Sequence, residues 1–249
     1  MKRPMKRLLA AVLALSSSAA FASSAEPPFH FDADVGNPAS LQRGARDFMN
    51  YCAGCHSLKY LRYNRLGRDL GIPEDLLKAN LMFTTDKVGE PIVSSMSPVD
   101  AEKWFGRAPP DLSLVTRARG ESWLYSYLLT FYADPSKTTG VNNLMLPGLS
   151  MPHVLSSLQG TQVLVKEENG ETGEHHGGHG KPKFELTQKG ALTPEQYKEF
   201  VADLTNFLAY AAEPGRSGRV SVGFKVMAYL LVLLVLTYML KKEFWKDVH

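Results

Sequence analysis

Two cysteines and a histidine, Cys52-Ala-Gly-Cys55-His56, constrain this chain more than anything else in it. The spacing is C-x-x-C-H, the pattern of c-type haem attachment, in which two thiols bond the porphyrin vinyl groups and the adjacent imidazole ligates iron. Thiols three residues apart reach both vinyls from one helical turn, and the next residue points at the metal. A thioredoxin-like redox pair would want a βαβ context, and a zinc site would need two further ligands. No other cysteine occurs among the 249 residues. A fold that carries this motif must leave room beside it for a large flat cofactor.

The ends fix where such a chain belongs. Lys2, Arg3, Lys6 and Arg7 precede the apolar run Leu8-Leu-Ala-Ala-Val-Leu-Ala-Leu15, and small residues follow to Ala20-Phe21-Ala22. This is the pattern of a cleavable signal peptide, residues 1–22, with a second exit after Ala25. Near the other end, residues 220–240 read VSVGFKVMAYLLVLLVLTYML, with Lys225 as the one charge and Lys241-Lys242 directly after. About 1.5 Å per residue carries that run across a hydrocarbon core roughly 30 Å thick. The expected order is therefore signal peptide, an exported domain over residues 23–219, a transmembrane helix over 220–240 and a cytoplasmic tail over 241–249.

Charge excludes one class of partner. The chain has 28 basic and 25 acidic residues, but four of the basic ones lie in the first seven positions, so the processed chain is near neutral. No basic footprint for nucleic acid is present.

Between the ends the patterning is mostly helical. Ser40 is placed to cap a helix towards Cys52, with Leu41, Ala45, Phe48 and Met49 on one face. Residues 57–120 read as loop with short helices at 74–80 and, after Ser97-Pro98, at 99–105. Residues 121–132 read as one helix that ends before Pro135. Two strand-like runs around 161–165 and 183–187 flank a polar stretch and predict a hairpin excursion. Thr193-Pro194-Glu195-Gln196 opens the clearest amphipathic helix, which stops at Glu213-Pro214-Gly215, and residues 216–219 read as a short hinge.

A methionine is the expected sixth ligand of an electron-transfer haem, because a soft thioether favours ferrous iron and raises the potential. Met82, Met96, Met145 and Met151 follow the motif, and Met145 and Met151 share the irregular segment Leu144-Met-Leu-Pro-Gly-Leu-Ser-Met151-Pro-His153. Glu174-His175-His176-Gly-Gly-His179 offers imidazoles for a divalent metal but reads as a solvated loop. Arg43, Arg46, Lys59, Arg62, Arg65 and Arg68 flank the motif and read as wet surface.

Cys52-Ala-Gly-Cys-His-Ser-Leu-Lys-Tyr-Leu-Arg-Tyr63, Ala108-Pro-Pro-Asp-Leu-Ser113 leading to Arg117-Ala-Arg119, Tyr127-Leu-Leu-Thr-Phe-Tyr132, and Tyr210-Ala-Ala-Glu-Pro214 before a single span occur in that order. Together they resemble the cytochrome c1 family, the haem subunits of the quinol:cytochrome c oxidoreductase, over essentially the whole mature chain. The resemblance implies a mostly α haem domain with long loops and a hairpin insertion, plus one C-terminal transmembrane helix. It implies one covalent haem c on Cys52 and Cys55, with His56 and Met151 as axial ligands, Met145 being the other candidate. It implies that Pro109 and Pro110 pack near the haem edge and that Arg119 lies near a propionate. The implied role is that of an electron carrier, not an enzyme by itself. A Rieske iron–sulfur subunit reduces it beside a cytochrome b subunit, and a soluble cytochrome c accepts the electron. The implied place is the inner membrane of a bacterium, with the haem domain in the periplasm. Rivals are a free-standing membrane-tethered cytochrome c, an oxidase haem subunit, and a haem peroxidase or gas sensor.

Overall fold

Asn37 opens the first helix: its side-chain oxygen accepts the Ser40 amide at 3.2 Å, and Pro38 takes the first helical position, where no amide hydrogen is needed. Asn37 rather than Ser40 is thus the cap, and Ser40 turns its hydroxyl onto Asp203. The computed structural model describes residues 26–165 and 182–246. The expected signal peptide and the His175–His179 run lie outside the described residues.

Helix α1 (Pro38–Tyr51) buries Leu41, Ala45, Phe48 and Met49 along one stripe. That stripe packs on the long helix near the end of the domain, Pro194–Ala212, whose Val201, Leu204, Phe207 and Leu208 are buried. Phe48 meets Phe207 at 5.7 Å between ring centroids, and Tyr51 meets Phe200 edge-on at 5.6 Å. Each buried Phe or Leu contributes on the order of 1.5–3 kcal/mol. The two backbones come so close that a Cβ on Gly44 would lie 2.1 Å from the Asp203 carbonyl.

Between these helices the chain makes small elements: β1 (Leu58–Arg62), α2 (Tyr63–Leu70), α3 (Glu74–Leu81), β2 (Pro91–Ile92), α4 (Pro98–Phe105), α5 (Val115–Arg119), α6 (Glu121–Leu129), β3 (Phe131–Ala133), β4 (Val141–Asn143), α7 (Ser156–Gln159), β5 (Gly160–Leu164) and β6 (Phe184–Lys189). They pair as three antiparallel two-stranded ribbons, β1 with β2, β3 with β4 and β5 with β6. The long helix is α8, and its capping box between Thr193 and Gln196 forms as expected. The β5–β6 ribbon is the expected hairpin.

Two further expectations fail. Residues 121–132 do not form one helix: α6 stops at Leu129 because the next residues enter a strand pair, Phe131 opposite Asn143. Gln162 Nε2 donates to the Leu129 and Phe131 carbonyls at 2.9 and 2.6 Å, taking acceptors a continued helix would use. Nor are residues 216–219 a hinge. They begin the final helix, α9 (Arg216–Phe244). Within it Ser221–Phe244 is apolar, exposed throughout and long enough to cross a membrane.

Candidate haem site

The C-x-x-C-H turn grows out of the end of α1. Cys52 and Ala53 both donate to the Phe48 carbonyl, at 2.8 and 2.9 Å, and Cys55 and His56 both donate to the Cys52 carbonyl, at 3.0 and 2.8 Å. The backbone thus winds one more turn, which puts both thiols, each half-buried, and the imidazole on a single coil. Burial, then Cys55 and Asp47, push the Cys52 thiol up to about 12, and burial raises Cys55 as well. A dithiol redox pair wants the opposite, a thiol made acidic by positive neighbours.

His56 is held from behind. Its Nδ1 donates to the Pro110 carbonyl at 2.7 Å, which fixes the tautomer and leaves Nε2 with its lone pair free for a metal. Burial lowers the pKa of His56, so the ring favours its neutral form. The Pro110 segment is itself clamped to the motif. Leu112 donates to the Ser57 carbonyl at 2.9 Å, Asp111 accepts the Lys59 and Ser113 amides at 2.9 Å each, and the Ser113 hydroxyl accepts Tyr60 at 3.2 Å. A second clamp comes from Ser94, whose hydroxyl donates to the Gly54 carbonyl at 2.8 Å while its amide donates to Ser57 Oγ at 2.9 Å.

Met151 lies half-buried in the irregular stretch between β4 and α7, and Tyr127 Oη donates to its sulfur at 3.2 Å. The stretch is shaped by an asparagine pair. Asn143 Oδ1 accepts Met145 N and its Nδ2 donates to the Tyr127 carbonyl, while Asn142 Oδ1 accepts Gly148 N, where φ is +73°. Glycine suits that left-handed position. Two residues beyond Met151, His153 stacks on Phe131 at 4.6 Å and pairs with Gln159 at 2.7 Å.

Cys52, Ala53, Leu112, Trp123, Met145 and Met151 all pack, partly buried, against one hydrophobic core. Met82 is inside that core, and Met96 sits half-buried beside Ser94, to whose hydroxyl its amide donates. Pro109 is half-buried and Pro110 exposed. Arg119 is exposed, its guanidinium 5.2 Å from the Trp123 ring centroid, on the wall of a cleft of about 370 Å³ also lined by Phe31, Asp32 and Glu121. The structure joins His56 to Pro110 directly, and Arg119 to Met151 through Trp123 and Tyr127, which stack at 5.1 Å. Ser57, Ser94, Asn142 and Asn143 were not expected. The Asn-Asn pair just before the methionine segment is a readable signal, whereas nothing in the sequence marks Ser94.

A family model described as the Cytochrome C1 family matches residues 29–172 and 189–248. The chain belongs to the cytochrome c1 family. Cytochrome c1 of Allochromatium vinosum is 48% identical over 98% of this chain and 99% of its own length. A protein named ammonia monooxygenase gamma subunit, from Nitrosomonas europaea, is 44% identical over 87% of this chain and 86% of its own. A cytochrome b/c1 of Bradyrhizobium diazoefficiens is 27% identical over 84% of this chain, which spans a third of that protein. Membership of the cytochrome c1 family makes the chain a redox carrier of respiratory electron transport, and implies a covalent haem c, for which a C-x-x-C pair is present.

Proposed function

We propose that this chain is the cytochrome c1 subunit of a quinol:cytochrome c oxidoreductase, taking single electrons from a Rieske iron–sulfur subunit and passing them to a soluble cytochrome c. The observation that carries the proposal is the bond from His56 Nδ1 to the Pro110 carbonyl on a coil that also holds both thiols. It gives an imidazole with Nε2 available to iron and, on the same turn, two free cysteines available for thioether bonds.

Cys52 and Cys55 would hold the haem covalently and His56 and Met151 would ligate its iron, with Pro109, Pro110 and Arg119 lining the site around it. The haem supplies a one-electron couple that no side chain here has. The protein's part is orientation. Asp111 and Ser94 fix the loops that hold the imidazole, Asn143 fixes the loop that carries the thioether, and the surrounding core keeps the dielectric low. The chain carries out no bond chemistry alone, and the assembled complex is the enzyme.

Residues 1–22 are a signal peptide, 23–219 form the periplasmic domain, 220–240 cross the bacterial inner membrane and 241–249 lie in the cytoplasm. Cytochrome b is the neighbour of the span, a pairing supported by the relative named cytochrome b/c1. A free tethered shuttle would want slack before its anchor. Here Arg216 at the start of α9 pairs with Glu121 at 2.5 Å and Arg219 pairs with Glu213, which supports a docked subunit instead.

Haem attachment tests the assignment. Replacing Cys52 and Cys55 together by Ser should abolish haem staining of the chain on a denaturing gel, and a normally stained double variant would remove the site from these residues.

A further inference from the structure

Methionine sulfur seldom meets a well-directed donor, yet here the Tyr127 hydroxyl lies 3.2 Å from Met151 Sδ. A thioether has two lone pairs, so one can bind a metal while the other accepts a hydrogen bond. The donor is not free to turn away. Tyr127 is 8% exposed, with Trp123 stacked on one side at 5.1 Å and 12° and Phe131 set edge-on at 5.2 Å and 73°. The loop that leads to the acceptor starts from the same residue, because Asn143 donates to the Tyr127 carbonyl at 2.8 Å and accepts the Met145 amide at 2.9 Å, six residues before Met151. The hydroxyl is therefore held in place by the fold, and the contact does not depend on a mobile donor.

We propose that Tyr127 is a positioning residue that acts through Met151, its hydroxyl drawing electron density from the thioether and so raising the reduction potential of the haem. The inference rests on Met151 as the axial ligand. A thioether that gives less density to iron stabilises the ferric state less, and the positive end of the O–H dipole adds in the same sense. Trp123 and Phe131 keep the ring in place, so the effect belongs to one oxygen atom.

The test is a redox titration of the purified haem-loaded protein, with the charge-transfer band between thioether and ferric iron recorded beside it. Tyr127→Phe keeps the ring and should lower the potential while the band and the resistance to carbon monoxide stay. A fluorinated tyrosine installed at position 127, a stronger donor of nearly the same shape, should shift the potential upward. In a Met151→Leu background the Tyr127→Phe shift should vanish. An unchanged potential in Tyr127→Phe overturns the proposal, and so does an equal shift in both backgrounds, which would mean that Tyr127 acts through packing alone. If Met151→Leu by itself keeps the band, Met151 is not the ligand and the proposal falls with that assignment.

Discussion

Asp111 shows how much of the site depends on single side chains outside the haem motif. Its two oxygens accept the Lys59 and Ser113 amides, and so pin the carbonyl of the preceding Pro110 against His56. Asp111→Ala frees both donors and loosens the backbone anchor of the imidazole. Stability should fall by about 1–2 kcal/mol in a denaturant titration, and the ferric absorption spectrum should broaden or shift as the ring reorients. The Pro-Pro-Asp-Leu-Ser segment was legible as a family feature, and Cys52, Cys55 and His56 were legible from spacing alone. What the spacing cannot carry is why Asp111 matters. Its bond from Lys59 joins residues 52 positions apart, and no periodicity records such a pairing. Ser94 is the extreme case, a residue that holds Gly54 and Ser57 in place and has no neighbours in sequence to advertise it.

Helix contacts were easier to foresee than helix ends. The apolar stripes of α1 and α8 are plain in the sequence because burial on one face repeats every three to four residues. Their close approach at Gly44 is not, since a missing side chain leaves no pattern. Gly44→Ala sets a methyl 2.1 Å from the Asp203 carbonyl and 2.6 Å from Phe207 Cβ, both on the facing helix. The helices must part, and a loss of roughly 3 kcal/mol is expected, read as a lower midpoint of thermal unfolding. The end of α6 was missed for a related reason. Residues 121–132 keep a helical pattern to Tyr132, but Gln162 and the β3–β4 pair claim the backbone after Leu129. Tertiary hydrogen bonds outweigh propensity there, and that early stop leaves the Tyr127 carbonyl for Asn143 and the Tyr127 hydroxyl beside Met151.

Over the whole molecule, the domain core and the exposed final helix meet at a junction made of charges. Glu121 accepts the Ala33 amide at 2.7 Å with one oxygen and Arg216 at 2.5 Å with the other, so the segment before α1, α6 and the start of α9 share one carboxylate. The apolar helix itself was legible by length and composition; its ion-paired start was not, because Arg216-Ser-Gly-Arg219 reads as a linker until Glu121 and Glu213 are seen beside it. Residues 23–219 carry 20 basic and 23 acidic residues, too balanced to hold them on a membrane unaided, so the proposed membrane residence would rest on α9. The measurement that tests the central claim most directly is quinol-dependent reduction of cytochrome c by membranes whose only copy of this chain ends after Arg219. The domain should be released as a soluble haem protein with an unchanged spectrum, since every proposed ligand precedes that point, and the reductase activity should be lost. Full quinol-dependent activity in those membranes, with no second cytochrome c1 present, would contradict the assignment of this chain as a subunit of the complex.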